Sequence, residues 1–219
     1  MEISVNLNTD TYCKILLIAT LGLLSMHLGL NYYNHQVAET SWLLHQLFEL
    51  DEENNIPTWF SSFLLLNNAF FLWIIAESHY KGFRAAENSV DHYRIHWRVL
   101  AFGFLVLAID ETAGLHETFH TAIDTNWAIF GGILVALVGL AFIPFLLSLP
   151  RTIAAWFVLA GAIFIGGAIG IEYLSKDMDE DSMSYGFAVA VEEGMEMLGA
   201  LLFLFIILRE MKKGQTEGE

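Results

Sequence analysis

The stretch Asp110-Glu111-Thr112-Ala113-Gly114-Leu115-His116-Glu117-Thr118-Phe119-His120 places three carboxylates and two imidazoles directly after an apolar run, Val99 to Ile109. A second acidic stretch, Glu192-Glu193-Gly194-Met195-Glu196, interrupts another apolar run near the C-terminus. Ionisable groups inside apolar helices are costly and mark functional positions. Mutually repelling carboxylates in such a place protonate unless a cation neutralises them. Imidazole with carboxylate is a ligand set for zinc, iron or manganese rather than copper(I) or an iron–sulfur cluster. The expected metal ligands are therefore Asp110, His116, Glu117, His120, Glu193 and Glu196. Glu111 and Glu192 are the spare carboxylates, each placed to act as a catalytic base.

Spacing leaves the ion open between two arrangements. Glu117-x-x-His120 is half of the device by which ferritin-like bundles hold a di-metal centre. The other half is missing, because the second stretch offers Glu193-x-x-Glu196 instead. His116-x-x-x-His120 equally suits one zinc with a carboxylate, although the glutamate of the zincin pattern is not where that motif puts it. The cofactor is thus a divalent metal, either one zinc or a pair of iron or manganese ions.

Helices must carry these residues to one place. At about 100° per residue, Asp110, His116, Glu117 and His120 share an arc of roughly 120° on one continuous helix, with Glu111 turned away from it. Glu192, Glu193 and Glu196 share an arc of roughly 100° on another. The chain of 219 residues is 55% hydrophobic and only 16% charged, with a mean hydropathy of +0.51. That composition predicts an all-α polytopic membrane helix bundle in a single transmembrane domain, residues 1–219. Six spans are expected, at about Tyr12–Tyr33, Pro57–Ala76, Trp97–Thr118, Trp127–Leu149, Thr152–Leu174 and Tyr185–Leu208. The acidic beginning of the chain lacks the basic n-region of a secretory signal, so the first apolar run reads as a retained helix.

Charge sets the orientation. Lys14, Lys81, Arg84, Arg94, Arg98, Arg151, Arg209, Lys212 and Lys213 fall on one side of six spans, and Lys176 on the other. By the positive-inside rule both termini are cytoplasmic, in a bacterial inner (plasma) membrane. The acidic loops then face outward, and both acidic stretches lie roughly 10–17 Å below the outer surface. A net charge of −15 argues against nucleic acid as a partner. Cys13, the single cysteine, excludes an intrachain disulfide and a thiolate cage.

The remaining features read more plainly. Thr40 to Leu50 predicts a short amphipathic helix on the outer surface, with Trp42, Leu43, Leu47 and Leu50 along one face. Trp59 and Trp127 mark outer boundaries, and Trp97 and Trp156 inner ones. His27, Asn67 and Asn68 read as interhelical hydrogen-bonding residues. Asp51, Glu52 and Glu53 read as solvated loop charges, and His92 and His96 as loop histidines. Small residues every fourth position in span four (Ala128, Gly132, Ala136) and span five (Ala162, Gly166, Gly170) predict that these two pack together or meet a second copy or partner subunit.

The strings Asp110-Glu111-x-x-x-x-His116-Glu117 and Glu192-Glu193-x-x-Glu196-Met197-x-Gly199 resemble those of uncharacterised bacterial multipass membrane proteins. That resemblance implies a membrane protein and brings no reaction with it. From the residues, three functions compete. The first is a metal-dependent enzyme acting on a lipid or other hydrophobic substrate, as a hydrolase or a di-iron-type oxidoreductase. The second is a cation or proton transporter. The third is a non-catalytic membrane subunit with a structural metal.

Overall fold

The computed structural model describes residues 8–77, 93–115 and 127–216. Within them the chain is all-helical and contains no strand. Helix α1 spans Thr9–Gln36, α2 Trp42–Phe48, α3 Ile56–Glu77 and α4 Arg94–Ala113. Then come α5 (Trp127–Ser148), α6 (Arg151–Ile165), a π-helical segment Gly166–Ile171, the short α7 (Glu172–Ser175) and α8 (Met183–Thr216). Four helical stretches are long and apolar enough to cross a membrane: Thr9–Gln36, Ile56–Glu77, Ile129–Ser148 and Arg151–Ser175.

Local chemistry explains the ends. Asn8 caps α1 by accepting from the Thr11 N–H at 3.2 Å, and Asn55 does the same for α3 at Thr58, 3.1 Å. Pro57 sits in the first turn of α3, where its missing N–H leaves no bond unmade. Pro150 separates α5 from α6. The expected third span ends early. Gly114 adopts a left-handed conformation (φ 56°) and its N–H donates to the Asp110 carbonyl at 2.8 Å, a C-terminal cap. The continuous helix through Thr118 is therefore not formed, and residues 116–126 lie outside the described segments.

Helices α3 and α8 hold the centre. Asn68, fully buried on α3, donates to its own Leu64 carbonyl at 3.0 Å and across to Ala200 of α8 at 2.9 Å. Ser62 of α3 donates to Ala108 of α4 at 2.8 Å, and Tyr12 of α1 to Asn67 at 2.8 Å. The asparagines thus bridge helices, as expected. His27 does too, its Nε2 lying 2.8 Å from the Gly186 carbonyl of α8. Aromatic packing ties α4, α5, α6 and α8 together: Trp97 meets Phe145 edge-on at 4.9 Å, and Phe157 stacks on Phe203 at 4.3 Å. Trp97, in the first turn of α4, is buried in that cluster, whereas Trp59 and Trp156 are exposed. His96 is a residue of α4, stacked on Phe145 at 5.5 Å, and not a loop histidine; His92 lies outside the described residues. Helix α2 forms as expected, but Leu50 is buried in the core while Trp42 and Leu43 stay exposed.

The small residues of the fifth span serve α8 more than α5. A Cβ on Gly167 would come 2.6 Å from the Glu192 carbonyl, and one on Gly166 2.7 Å from Met195 Cε. Gly132 of α5 only grazes Ile169, at 3.9 Å. Helix α5 lies at the edge of the bundle, and Ile133, Leu137 and Leu140 are exposed along it.

Backbone contact is also close where α6 crosses α8. A Cβ on Gly199 would lie 2.7 Å from the Phe164 nitrogen and 2.9 Å from the Ala160 carbonyl, both immovable backbone atoms. Gly199→Ala is expected to lower the melting temperature in detergent, at a cost of about 1–3 kcal/mol for overpacking. Gly161→Ala, on the same α6 with no atom within 4 Å of the added carbon, should leave the melting temperature unchanged.

Candidate functional site: an acidic centre at one end of the bundle

Antiparallel packing brings four helix ends and one loop together. The C-terminal end of α4 carries Asp110 and Glu111, and the N-terminal half of α8 carries Glu192, Glu193 and Glu196. The two helices place these groups within electrostatic reach. The carboxylate of Glu193 is acted on by those of Glu196, Glu111, Glu192 and Asp51. Glu196 is acted on by Glu111, Glu192, Asp110 and Glu172, in falling order. Asp110, Glu111, Glu172, Glu192, Glu193 and Glu196 are all half-buried.

Two features differ from the helical-phase expectation. Glu111 acts on Glu196 more strongly than Asp110 does, so it belongs to the same electrostatic cluster. The helix that carries Asp110 also ends at Ala113 with the Gly114 cap rather than running on as expected. His116, Glu117 and His120 themselves lie outside the described residues. Among the described residues, no three His, Cys, Asp or Glu side chains close into a metal-holding group. The acidic residues of α4 and α8 are neighbours in a shared field without forming a finished cage.

The π segment shapes the wall opposite. Its wider turn brings Gly167 so close to α8 that a Cβ there would stand against the Glu192 backbone and 3.1 Å from Glu196 Cγ. Single π turns inside α-helices are frequent at functional sites. Glu172 follows directly and faces the same cluster.

The loop after α2 contributes what the sequence pattern presents as solvated charge. Tyr185 of α8 donates to Asp51, at 3.2 Å to Oδ1 and 3.0 Å to Oδ2. Surrounding protein pushes the Asp51 carboxyl up; the Tyr185 hydrogen bond opposes this, and the charges of Glu49, Glu180 and Glu172 raise it further. Glu53 lies over the end of α4, its Oε1 2.6 Å from where a Cβ on Gly114 would stand. Glycine suits that left-handed conformation best, and any larger residue would also have to displace the Glu53 carboxylate. The loop is knit to itself: Asn55 donates to the Glu49 carbonyl at 2.5 Å, and the Thr58 hydroxyl to Glu52 at 3.0 Å. The one sequence signal for this role was the density of acids in Glu49-Leu50-Asp51-Glu52-Glu53, which alone does not separate a lid from a solvated loop.

A buried pair pins the loop. His27 Nδ1 stands 2.9 Å from Glu49 Oε1, with the imidazole fully buried, and His45 Nε2 stands 3.2 Å from Glu49 Oε2. The Leu50 N–H is 3.3 Å from the same His27 nitrogen. Burial pushes the Glu49 carboxyl up, yet the hydrogen bond and charge of His27, with His45 and the Leu50 N–H, hold it below its ordinary value.

An all-helical bundle with an acidic centre at one end is the class of protein that fold and site define. The chain belongs to the family described as Domain of unknown function (DUF8692), whose model matches residues 15–211, from α1 to the last turns of α8. No curated protein and no solved structure matches it.

Because the folded Glu49 carboxyl lies below its unfolded value, its contribution to stability is present above the ordinary glutamate range, near pH ~4, and is lost as pH falls through the depressed value. Glu49→Gln should therefore remove an acid-induced loss of stability that the wild type shows. At neutral pH it should cost about 1.5–3 kcal/mol, as for a hydrogen bond to a charged partner. Thermal melts of both proteins across an acid series provide the measurement.

Proposed function

We propose that the chain is a six-span integral protein of a bacterial inner membrane, with both termini cytoplasmic and a divalent-metal centre toward its outer end. The observation that supports this best is the gathering of Asp110 and Glu111 with Glu192, Glu193 and Glu196 from helices far apart in sequence. So much negative charge in an apolar bundle is relieved by a cation or by protonation, and a cation is the solution that uses all the groups. Glu193 and Glu196 from α8 and Asp110 from α4 are ligands on this reading. His116, Glu117 and His120, two residues and more beyond the Gly114 cap, supply the nitrogen donors and a further carboxylate. Zinc, or a pair of iron or manganese ions, suits that mixture of donors.

The segregation of charge supports the orientation. Glu77, paired with Arg94 and Arg98 at 2.7 Å each, stands with Arg209 and Lys213 at the end opposite the acidic centre. Cationic groups gather toward the cytoplasm and the acidic loops face out.

The reaction class follows from the surroundings. A metal would lower the pKa of a bound water or activate dioxygen, and Glu111 or Glu192 would serve as base. A substrate reaching a site walled by apolar helices is itself a lipid or similarly hydrophobic, which makes the protein a membrane hydrolase or oxidoreductase.

Elemental analysis of protein purified in detergent without chelator tests the centre. Near-stoichiometric metal is expected in the wild type. Glu193→Gln, Glu196→Gln and Glu117→Gln should each weaken binding by more than about tenfold, the effect that even outer-shell partners can have. Metal binding releases protons from its ligands, so affinity should fall as pH is lowered and the histidine and carboxylate ligands protonate. A metal-free wild type, or three variants that retain the ion, would leave a proton-linked transporter or a purely structural polar core instead.

A further inference from the structure

At the end opposite the acidic centre, α6 and the last turns of α8 diverge around a cleft of about 340 Å³. Ile153, Trp156, Leu202, Phe205 and Ile206 form its apolar walls, and Thr152, Arg209 and Lys213 stand at its polar rim. Arg151 adjoins the rim as the first residue of α6. Two of the chain's ten Lys and Arg residues thus line one cleft on a molecule of net charge −15. One acid shares the cleft: Glu210, its side chain 13% exposed, accepts from Lys213 at 2.5 Å. The local balance is positive all the same. Trp156, 46% exposed, presents the amphipathic ring that favours the headgroup level of a bilayer.

We propose that this cleft binds an anionic phospholipid, with its phosphate at Arg209 and Lys213 and an acyl chain along Trp156, Leu202 and Phe205. Charge and shape both select this occupant. A zwitterionic lipid brings the same phosphate but also a cationic headgroup that the rim repels, so it gains less, and a free phosphate leaves the apolar wall uncovered. Basic pockets between helices on the cytoplasmic side are where acidic headgroups are recognised, and the proposed orientation, with both termini cytoplasmic, puts the cleft on that side. The site is independent of the metal centre, since it lies at the other end of the bundle.

The full chain reconstituted into phosphatidylcholine vesicles tests this, with brominated acyl chains carried either on phosphatidylglycerol or on phosphatidylcholine. Bromine quenches tryptophan at contact, and the difference between wild type and Trp156→Phe isolates one of six tryptophans. Quenching of Trp156 should show a roughly five- to thirty-fold preference for the anionic lipid, at about fivefold per cationic side chain near the surface. Arg209→Gln with Lys213→Gln should abolish the preference. Lys212→Gln, which neutralises one cationic residue outside the cleft lining, should keep it. Equal quenching by both lipids in the wild type would overturn the proposal. So would an equal loss in Lys212→Gln, which would mean diffuse surface charge, or displacement by millimolar inorganic phosphate, which would mean a small-anion site. The wild-type comparison decides the matter even if the double variant does not fold.

Discussion

Carboxylate repulsion inside an apolar bundle is the constraint under which the rest of this structure is arranged. Glu193 and Glu196 on α8 feel Glu111 and Glu192, and the field extends to Asp110, Glu172 and Asp51. Nothing in hydrophobic packing brings such groups together; left alone they would push α4 and α8 apart. The helices are held by other means. Asn68 ties α3 to α8, Ser62 ties α3 to α4, and Gly199 lets α6 press its backbone against α8. Apolar and hydrogen-bonded contacts near the middle of the bundle thus oppose the electrostatic strain at its end.

The loop from Glu49 to Asn55 belongs to that balance. It reaches three helices: α1 through His27, α8 through Tyr185, and the end of α4 through Glu53 at Gly114. It also carries negative charge toward a place that already has an excess. A loop of that kind is held only by specific bonds, which explains why a fully buried histidine and a tyrosine hydroxyl are both committed to it. The charge pattern of the molecule is polar in the same sense, with acids crowded at one end and Arg94, Arg98, Arg151, Arg209 and Lys213 at the other.

Much of the fold was legible in the sequence because its signals are local. Apolar run length set the helices, and α1 and α3 extend only a few residues beyond the expected bounds. Asn67, Asn68 and His27 stood out as polar groups in apolar runs and do bridge helices. What was hidden depends on neighbours. Gly114 could have continued a helix as easily as capped one, and its φ of 56° is decided with Glu53 lying over it. Asp51 resembles any loop aspartate until Tyr185 is seen beside it. The sequence does not show that Phe145 and Phe157 pack around Trp97 and bury it.

The π segment has a consequence for evolution of the site. Each widened turn contains one residue more than an ordinary one, so it turns everything after it by about 100° relative to an uninterrupted helix. Glu172 follows immediately. Removal of a single residue between Gly166 and Ile171 would restore ordinary winding and swing that carboxylate toward a different neighbour. Insertions and deletions here therefore act as a rotary adjustment of the acidic wall, and leave α8 and its glutamates where they are.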